Sequence, residues 1–209
     1  MHKYAQHVFL FFLSCLLASA SIAGAKKRER SHLGDTIASF TLTATNGNLY
    51  SLNDYPNAKG FMVVFTCNHC PFAKLYTDRL NQLSTKYAPL GVPLVAINSM
   101  DSLIYEEENY GQMKAWAEHE EWTFPYLQDG KQVVGQVFGA DHTPDAFVLW
   151  KEQGKWIIRY TGAIDDNGAE PNKIQHTYIT EAVDELLEGK KVSRPETDSF
   201  GCAIFYRKN

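Results

Sequence analysis

Apolar and polar residues follow two different periods along this chain. Segment 31–52 alternates apolar and polar residues around Asn46-Gly47, a dipeptide typical of tight hairpin turns. The run GFMVVFT at 60–66 is continuously apolar and rich in β-forming residues, as expected of a strand buried on both faces. The pattern predicts an amino-terminal β-hairpin followed by a central strand.

Helical periodicity begins directly after this strand. Apolar residues recur at helical spacing from Cys70 to about Tyr87, and Pro71 falls in the first turn, where proline is tolerated. The same criteria predict strands at 92–98, 123–129, 145–151 and 155–162, and helices at 105–120, 131–139 and 172–190. The alternation predicts one α/β domain with a central mixed β-sheet flanked by helices, including an inserted helix at 105–120. A tight turn joins the last two strands, so we expect them to be antiparallel.

The first 25 residues differ in character from the rest. A short polar start precedes an apolar run, and Ala-Gly-Ala at 23–25 fits a cleavage site, which is the anatomy of a secretory signal peptide. The run is shorter than the roughly 20 residues of a bilayer span. We interpret residues 1–25 as a signal peptide, with an uncleaved membrane anchor as the alternative. Residues 26–209 would form a single domain with a carboxy-terminal tail from about 191, exported to the periplasm or secreted.

Composition and cysteine count indicate which partners and which redox compartment to expect. The 209 residues are 44% hydrophobic, which suits one domain with a substantial core, and the net charge of -4 comes without a long basic tract, so nucleic-acid binding is not expected. Membrane contact is expected only through an uncleaved amino-terminal segment. Cleavage would remove Cys15 and leave Cys67, Cys70 and Cys202. Disulfides persist in exported proteins, and an odd count leaves one thiol to explain.

Two cysteines stand at the junction between the predicted strand and helix, in the stretch FTCNHCPFAK at 65–74. A thiol near a helix amino-terminus has a lowered pKa, and its thiolate attacks disulfides. We predict that Cys67 is the exposed nucleophile and that Cys70 is a more buried resolving thiol, with no cofactor needed. His69, between them, would add positive potential that stabilises the Cys67 thiolate; the alternative is a solvated loop residue.

A Thr-Pro step stands just before the predicted strand at 145–151. Proline cannot donate to a β-ladder, and a cis peptide at a turn would resolve its presence there. The strand–CxxC–helix unit, this step in TPDAF, and the segments YTGAIDD and ETDSFGCAIFY together resemble the thioredoxin fold. The resemblance is to its redoxin branch, AhpC/TSA-like, in a subgroup of exported thiol-disulfide proteins, and it covers about residues 33 to 206.

This resemblance implies a site and a function. Cys67 and Cys70 would be the redox pair, Pro144 a cis-proline facing them, and Thr143 would present its backbone to a bound substrate. The implied partners are protein thiols or disulfides and a thiol-based electron donor or acceptor. The chain is thus expected to be a thiol-disulfide oxidoreductase.

Two departures from thioredoxins are visible in the sequence. Thr66 stands where they usually carry Trp before the first cysteine, and we expect it to tune the pair or line the substrate groove. Phe61 stands where they carry a buried acid. Phe61 cannot transfer a proton. These departures argue against a cytosolic-type general reductant and leave the direction of electron flow open.

A thiol peroxidase is the first alternative. Peroxiredoxins use a Pro-x-x-x-Thr/Ser-x-x-Cys loop to hold peroxide. Counted back from Cys67, the Thr/Ser and Pro places are Val64 and Gly60; counted back from Cys70, they are Cys67 and Val63. Neither frame fits.

A copper-binding or copper-delivery protein is the second alternative. Two soft thiolates and an imidazole suit Cu(I), and Cys67, Cys70 and His142 could supply them. The copper-delivery proteins that the segment resembles usually have three residues between the cysteines. His142 is otherwise interpreted as a residue of the substrate groove that titrates near Cys67.

A purely structural disulfide is the third alternative, but a CxxC bridge closes a very short loop and stabilises little. For Cys202 we favour the interpretation as a small buried apolar residue over that of a third redox thiol carried by a tail folded over the CxxC. The acidic stretch at 106–109 is interpreted as a charged helix start.

Overall fold

The computed structural model describes residues 31–208, so the predicted signal peptide lies outside the described residues. The strands are β1 (Thr36–Ile37), β2 (Thr41–Ala44), β3 (Leu49–Ser51), β4 (Gly60–Phe65), β5 (Leu94–Asn98), β6 (Tyr126–Gln128), β7 (His142–Thr143), β8 (Asp145–Glu152), β9 (Lys155–Gly162) and β10 (Cys202–Ala203). The α-helices are α1 (Pro71–Lys74), α2 (Thr77–Tyr87), α3 (Tyr110–His119), α4 (Val133–Phe138) and α5 (Tyr178–Leu187). Short 3₁₀ helices occupy Leu52–Asp54, Ala88–Leu90, Glu106–Glu108 and Pro171–Lys173. None of the helices within 31–208 is long and apolar enough to cross a bilayer.

Eight strands form one mixed sheet in the order β1-β9-β8-β4-β5-β6-β2-β3. The pairs β4–β5 and β5–β6 are parallel, and the remaining pairs are antiparallel. This arrangement, with helices against the sheet, is a thioredoxin-like α/β fold, as the sequence predicts. The amino-terminal hairpin β2–β3 and the antiparallel pair β8–β9 are also confirmed.

The central strand β4 explains the continuous apolar run in the sequence. All six of its residues are buried. Phe61, Val63 and Phe65 point into one core cluster, whereas Met62 and Val64 point into the other. Because the sheet is covered on both faces, both sets of side chains are apolar, and the carboxy-terminal end of β4 is held rigidly where the CxxC begins.

Three predicted helices are shorter than their periodicity suggests. The first divides into α1 and α2, and the second is broken at Asn109, which adopts an extended conformation and caps α3 through Gln112. The third begins only at Tyr178, because the preceding loop is hydrogen-bonded to itself: Gln175 N–H donates to the Asp166 carboxylate. In the second and third helices, local hydrogen bonds of Asn and Asp thus replace helical ones at the amino-terminal end.

The carboxy-terminal tail forms a second, small sheet that the hydrophobic pattern did not predict. Its strand β10 pairs antiparallel with β7, with Cys202 opposite Thr143 and Ala203 opposite His142. The tail therefore lies across the end of the main sheet at which the CxxC stands.

Candidate active site

The two cysteines of the CxxC stand at the junction that the sequence predicts, but both are buried. Cys67 follows β4, and Cys70 is the amino-terminal cap of α1, with Pro71 in the first turn. The exposed fractions are 2% for Cys67 and 0% for Cys70. The prediction of an exposed Cys67 is wrong for this state, in which β7 and the tail run directly beside the CxxC.

The disulfide of the structure joins Cys70 to Cys202 and leaves Cys67 as a free thiol. The bonded residues are 132 positions apart in sequence, and their Cα atoms are 5.9 Å apart. The interpretation of Cys202 as a buried apolar residue is wrong, because the tail brings this half-buried side chain onto the CxxC. The alternative that the sequence left open, a tail folded over the CxxC, is the arrangement observed.

Thr143 is the residue on which the three cysteines converge. Its hydroxyl is hydrogen-bonded to Cys67 Sγ at 3.0 Å, and its carbonyl oxygen lies 3.2 Å from Cys70 Sγ. The second distance is a contact and not a hydrogen bond, because a disulfide sulfur carries no proton. Cys202 is the β-sheet partner of the same residue, and the Thr143-Pro144 peptide is cis, as the resemblance implied.

Burial raises the pKa of the Cys67 thiol to about 12, and the negative charge of Glu108 adds to this shift. The Thr143 hydroxyl and the backbone N–H groups of Cys70 and His69 act in the opposite direction, since they stabilise the thiolate, but they are outweighed. The predicted lowering of the pKa is wrong for this state. The helix that follows is only four residues long, so little macrodipole is available to offset desolvation.

Glu108 is a site residue that sequence reasoning missed. It is 1% exposed, although it belongs to the acidic stretch that was interpreted as a charged helix start. Its carboxylate accepts hydrogen bonds from the backbone N–H groups of Asn68 and His69, and from the side-chain amide of Asn98. Three consecutive acids gave no signal that distinguished this one, because only the fold turns Glu108 under the CxxC loop.

His69 lies against this carboxylate. Its Nδ1 is 2.6 Å from the Glu108 carboxylate, and its ring stacks on Tyr105 with centroids 4.3 Å apart. The side chain is 21% exposed, so His69 is not a freely solvated loop residue. Thr66, the other residue expected to tune the pair, is buried at the end of β4, with its N–H bonded to the Ile97 carbonyl.

The predicted copper ligands are not brought together in this state. Cys70 is bonded to Cys202, and His142 is paired with Asp141. Within residues 31–208, the group of side chains that could share an ion is instead Cys67, His69 and Glu108, whose ligand atoms lie within 4.8 Å of one another. The Glu108 oxygens already accept hydrogen bonds, so this group is satisfied without a metal.

A groove opens beside the cis peptide. It has a volume of about 460 Å³, and its walls include Pro144, Tyr76, Asp198 and two exposed aromatic residues. These two, Phe72 on α1 and Phe200 on the tail, pack edge to face at 4.9 Å. The groove combines these aromatic walls with the carboxylates of Asp165, Asp166 and Asp198, so it offers both apolar and polar contacts to an approaching polypeptide.

The sequence model of the AhpC/TSA family matches residues 33–169. The chain belongs to the AhpC/TSA family. The match spans the CxxC, Glu108 and the Thr143-Pro144 step, and it ends before the tail. Residues 170–209, including Cys202, thus lie outside the matched region of this AhpC/TSA chain.

Solved structures share the fold of this chain. A hypothetical protein from Sinorhizobium meliloti 1021 is 31% identical, with a TM-score of 0.78 over 87% of this chain and 98% of that one. An uncharacterized conserved protein from Geobacillus kaustophilus is 36% identical, with a TM-score of 0.76 over 85% and 94%. A candidate thiol:disulfide interchange protein, DsbE, from Chlorobium tepidum shares the fold at 20% identity, with a TM-score of 0.55 over 76% and 96%. Among curated proteins, none matches this chain.

Proposed function

We propose that this AhpC/TSA-family protein is an exported thiol-disulfide oxidoreductase that exchanges disulfides with protein thiols through Cys67 and Cys70. The observation that carries the proposal is the contact of both sulfurs with Thr143, immediately before the cis-proline Pro144. A thiol at the end of a rigid strand, a second thiol at the start of the next helix and an adjacent groove are what disulfide exchange requires. Export rests on the predicted signal peptide.

The exchange proceeds in two steps. The Cys67 thiolate attacks one sulfur of a substrate disulfide, so that a mixed disulfide forms and a substrate thiolate leaves. Cys70 then attacks the Cys67 sulfur, releases the second substrate thiolate and leaves the enzyme with a Cys67–Cys70 disulfide. Two electrons pass from the enzyme to the substrate, and the reverse sequence oxidises a substrate dithiol. A thiol-based donor or acceptor restores the starting state.

Peroxide reduction is the less favoured function within the same family. The places of the peroxide-holding Pro and Thr/Ser are Gly60 and Val64, and both are buried in β4. Fast peroxide consumption in stopped flow would favour a peroxidase over an oxidoreductase that exchanges disulfides. Stoichiometric Cu(I) binding that depends on His142 would favour a metal carrier.

Insulin reduction by the mature protein, with dithiothreitol as the donor, tests the proposed function. Cys67→Ser is expected to abolish turnover, because the attacking sulfur is lost. Cys70→Ser is expected to accumulate mixed disulfides with substrate, since nothing resolves them. Ala203→Ser, which adds a hydroxyl to an exposed residue nearby, serves as the matched control and should retain activity. Full activity of Cys67→Ser would refute the proposal.

A further inference from the structure

The tail is held on both sides of the CxxC. Before Cys202, the Thr197 N–H donates a hydrogen bond to the Thr161 carbonyl of β9. After it, Ile204 N–H donates to the Asp141 carbonyl, and Arg207 forms an ion pair with Asp101. The position of the tail over the site is therefore fixed by contacts on both sides of Cys202.

Where the tail passes the CxxC, its backbone at Gly201 lies directly against the backbone of Thr143 in β7. A Cβ added to Gly201 would stand 2.0 Å from the Thr143 carbonyl oxygen, so only glycine fits. This contact and the Cys202–Thr143 pairing set the Cys202 sulfur against Cys70. Cys202 thus reaches the CxxC along the backbone of Thr143, which the resemblance implies would face a bound substrate.

The three cysteines differ in their accessibility. Cys67 and Cys70 are 2% and 0% exposed, so a disulfide between them offers little surface to a protein partner. Cys202 is half-buried and borders the exposed Ala203. A disulfide that includes Cys202 is the one that a partner thiolate can reach.

We propose that Cys202 is a third redox-active thiol, which takes over the disulfide from Cys67 at Cys70 and exposes it to the thiol-based redox partner. The inference rests on the proposed function of the CxxC. Cys70 takes part in both disulfides, first with Cys67 and then with Cys202. The structure corresponds to the state after the transfer, with Cys67 released as a thiol.

The transfer is balanced and involves no net oxidation. The Cys202 thiolate attacks Cys70 Sγ in the Cys67–Cys70 disulfide; the Cys202–Cys70 bond forms, the Cys70–Cys67 bond breaks, and Cys67 leaves and takes up a proton. A partner dithiol then attacks the Cys202 sulfur, Cys70 leaves as a thiolate, and the partner's second thiol resolves the mixed disulfide. The partner loses two electrons, and the enzyme regains its thiols.

Disulfide mapping after a single turnover tests the transfer. The reduced mature protein is mixed with one equivalent of oxidised insulin, quenched with acid at successive times, alkylated, digested and analysed by mass spectrometry. We expect the Cys67–Cys70 peptide pair to form first and then to decline as the Cys70–Cys202 pair appears. In Cys202→Ser the first pair should persist, and re-reduction by reduced bacterial thioredoxin should slow at least tenfold.

The outcomes separate this inference from the proposed function. If Cys67→Ser is inactive but wild type yields only a persistent Cys67–Cys70 pair, the function stands and the transfer is refuted. A Cys70–Cys202 bond that stays intact while insulin is reduced would make the bond structural, and it would refute both the transfer and the resolving role of Cys70. If Cys67→Ser retains insulin reduction, the proposed function itself fails. The mapping uses wild type, so the test survives a folding defect in Cys202→Ser. Ala115→Ser, at an exposed position of α3, is the control for the re-reduction rate.

Discussion

Cys67 owes its chemistry to its immediate surroundings. Desolvation disfavours its thiolate, and the buried carboxylate of Glu108 disfavours it further, so the pKa is raised from its ordinary value of 9.0 to about 12. The Thr143 hydroxyl only partly offsets this. In the state with Cys70 bonded to Cys202, Cys67 is therefore a protonated, unreactive thiol at neutral pH.

The pH dependence of Cys67 alkylation tests this account. With a raised pKa, the thiolate fraction rises about tenfold per pH unit up to roughly pH 12, so iodoacetamide labelling of the oxidised protein should climb continuously through pH 9 without a plateau. Glu108→Gln removes the negative charge, which lowers the pKa of Cys67, and labelling at pH 8 should become several-fold faster. Mass spectrometry of the Cys67 peptide measures both rates.

Glu106→Gln is the matched control, because it removes an exposed acid from the same 3₁₀ helix and should leave labelling unchanged. A labelling plateau below pH 9 in wild type would contradict the account. Glu108→Gln should also lower the free energy of unfolding by about 1–3 kcal/mol, since an amide cannot accept all the N–H groups that the carboxylate satisfies.

At the scale of elements, the site is an assembly of a strand end, a helix start and a two-stranded sheet. β4 delivers Cys67, α1 begins at Cys70, and β7 leads into the cis peptide. β10 pairs with β7 and brings Cys202 onto Cys70. Its approach depends on Gly201, where any side chain would collide with the Thr143 carbonyl. Access to the cysteines is thus controlled by the packing of β10 on β7.

Gly201→Ala should open the site. The added Cβ forces β10 away from β7, so the Cys70–Cys202 bond should form in a smaller fraction of molecules, and Cys67 should become accessible to iodoacetamide near neutral pH. Non-reducing peptide mapping and labelling rates measure the two effects. Gly130→Ala is the control, because a Cβ there meets no atom closer than 3.9 Å. Unchanged mapping in Gly201→Ala would show that the tail does not need this close approach.

For the whole molecule, the Cys70–Cys202 bond joins the first helix to the tail across 132 residues. Closing so long a loop restricts the unfolded chain far more than a CxxC bridge would, by about 5 kcal/mol in the loop-entropy treatment. The tail hydrogen bonds to β9 and the Arg207–Asp101 pair act in the same direction. The same bond that occupies the redox site therefore also stabilises the fold.

Urea unfolding of the oxidised protein and of Cys202→Ala measures this contribution. We expect the variant to lose several kcal/mol of unfolding free energy, and wild type to fall to the same level when reduced. Ala203→Ser should unfold like wild type under both conditions. A loss below about 1 kcal/mol would mean that the tail contributes little to stability.

Much of the fold could be read from the sequence, because burial leaves a direct pattern there. The apolar run of β4 required a strand covered on both faces, and Asn46-Gly47 required a hairpin. The starts of helices were less predictable, since Asn109 and Asp166 accept side-chain hydrogen bonds before α3 and α5 that periodicity does not show. The two-residue strands β7 and β10 are too short to leave a pattern at all.

The sequence by itself determined the chemistry available to this protein: a CxxC between strand and helix, a Thr-Pro step to face it, and one cysteine in the carboxy-terminal tail. Only the tertiary structure decided how these groups are used. It paired Cys70 with a cysteine 132 residues away, buried Cys67 and placed Glu108 beneath the loop. The physical reason is that disulfide pairing and thiol pKa depend on distances and desolvation, which arise when distant segments pack together and not from neighbours in sequence.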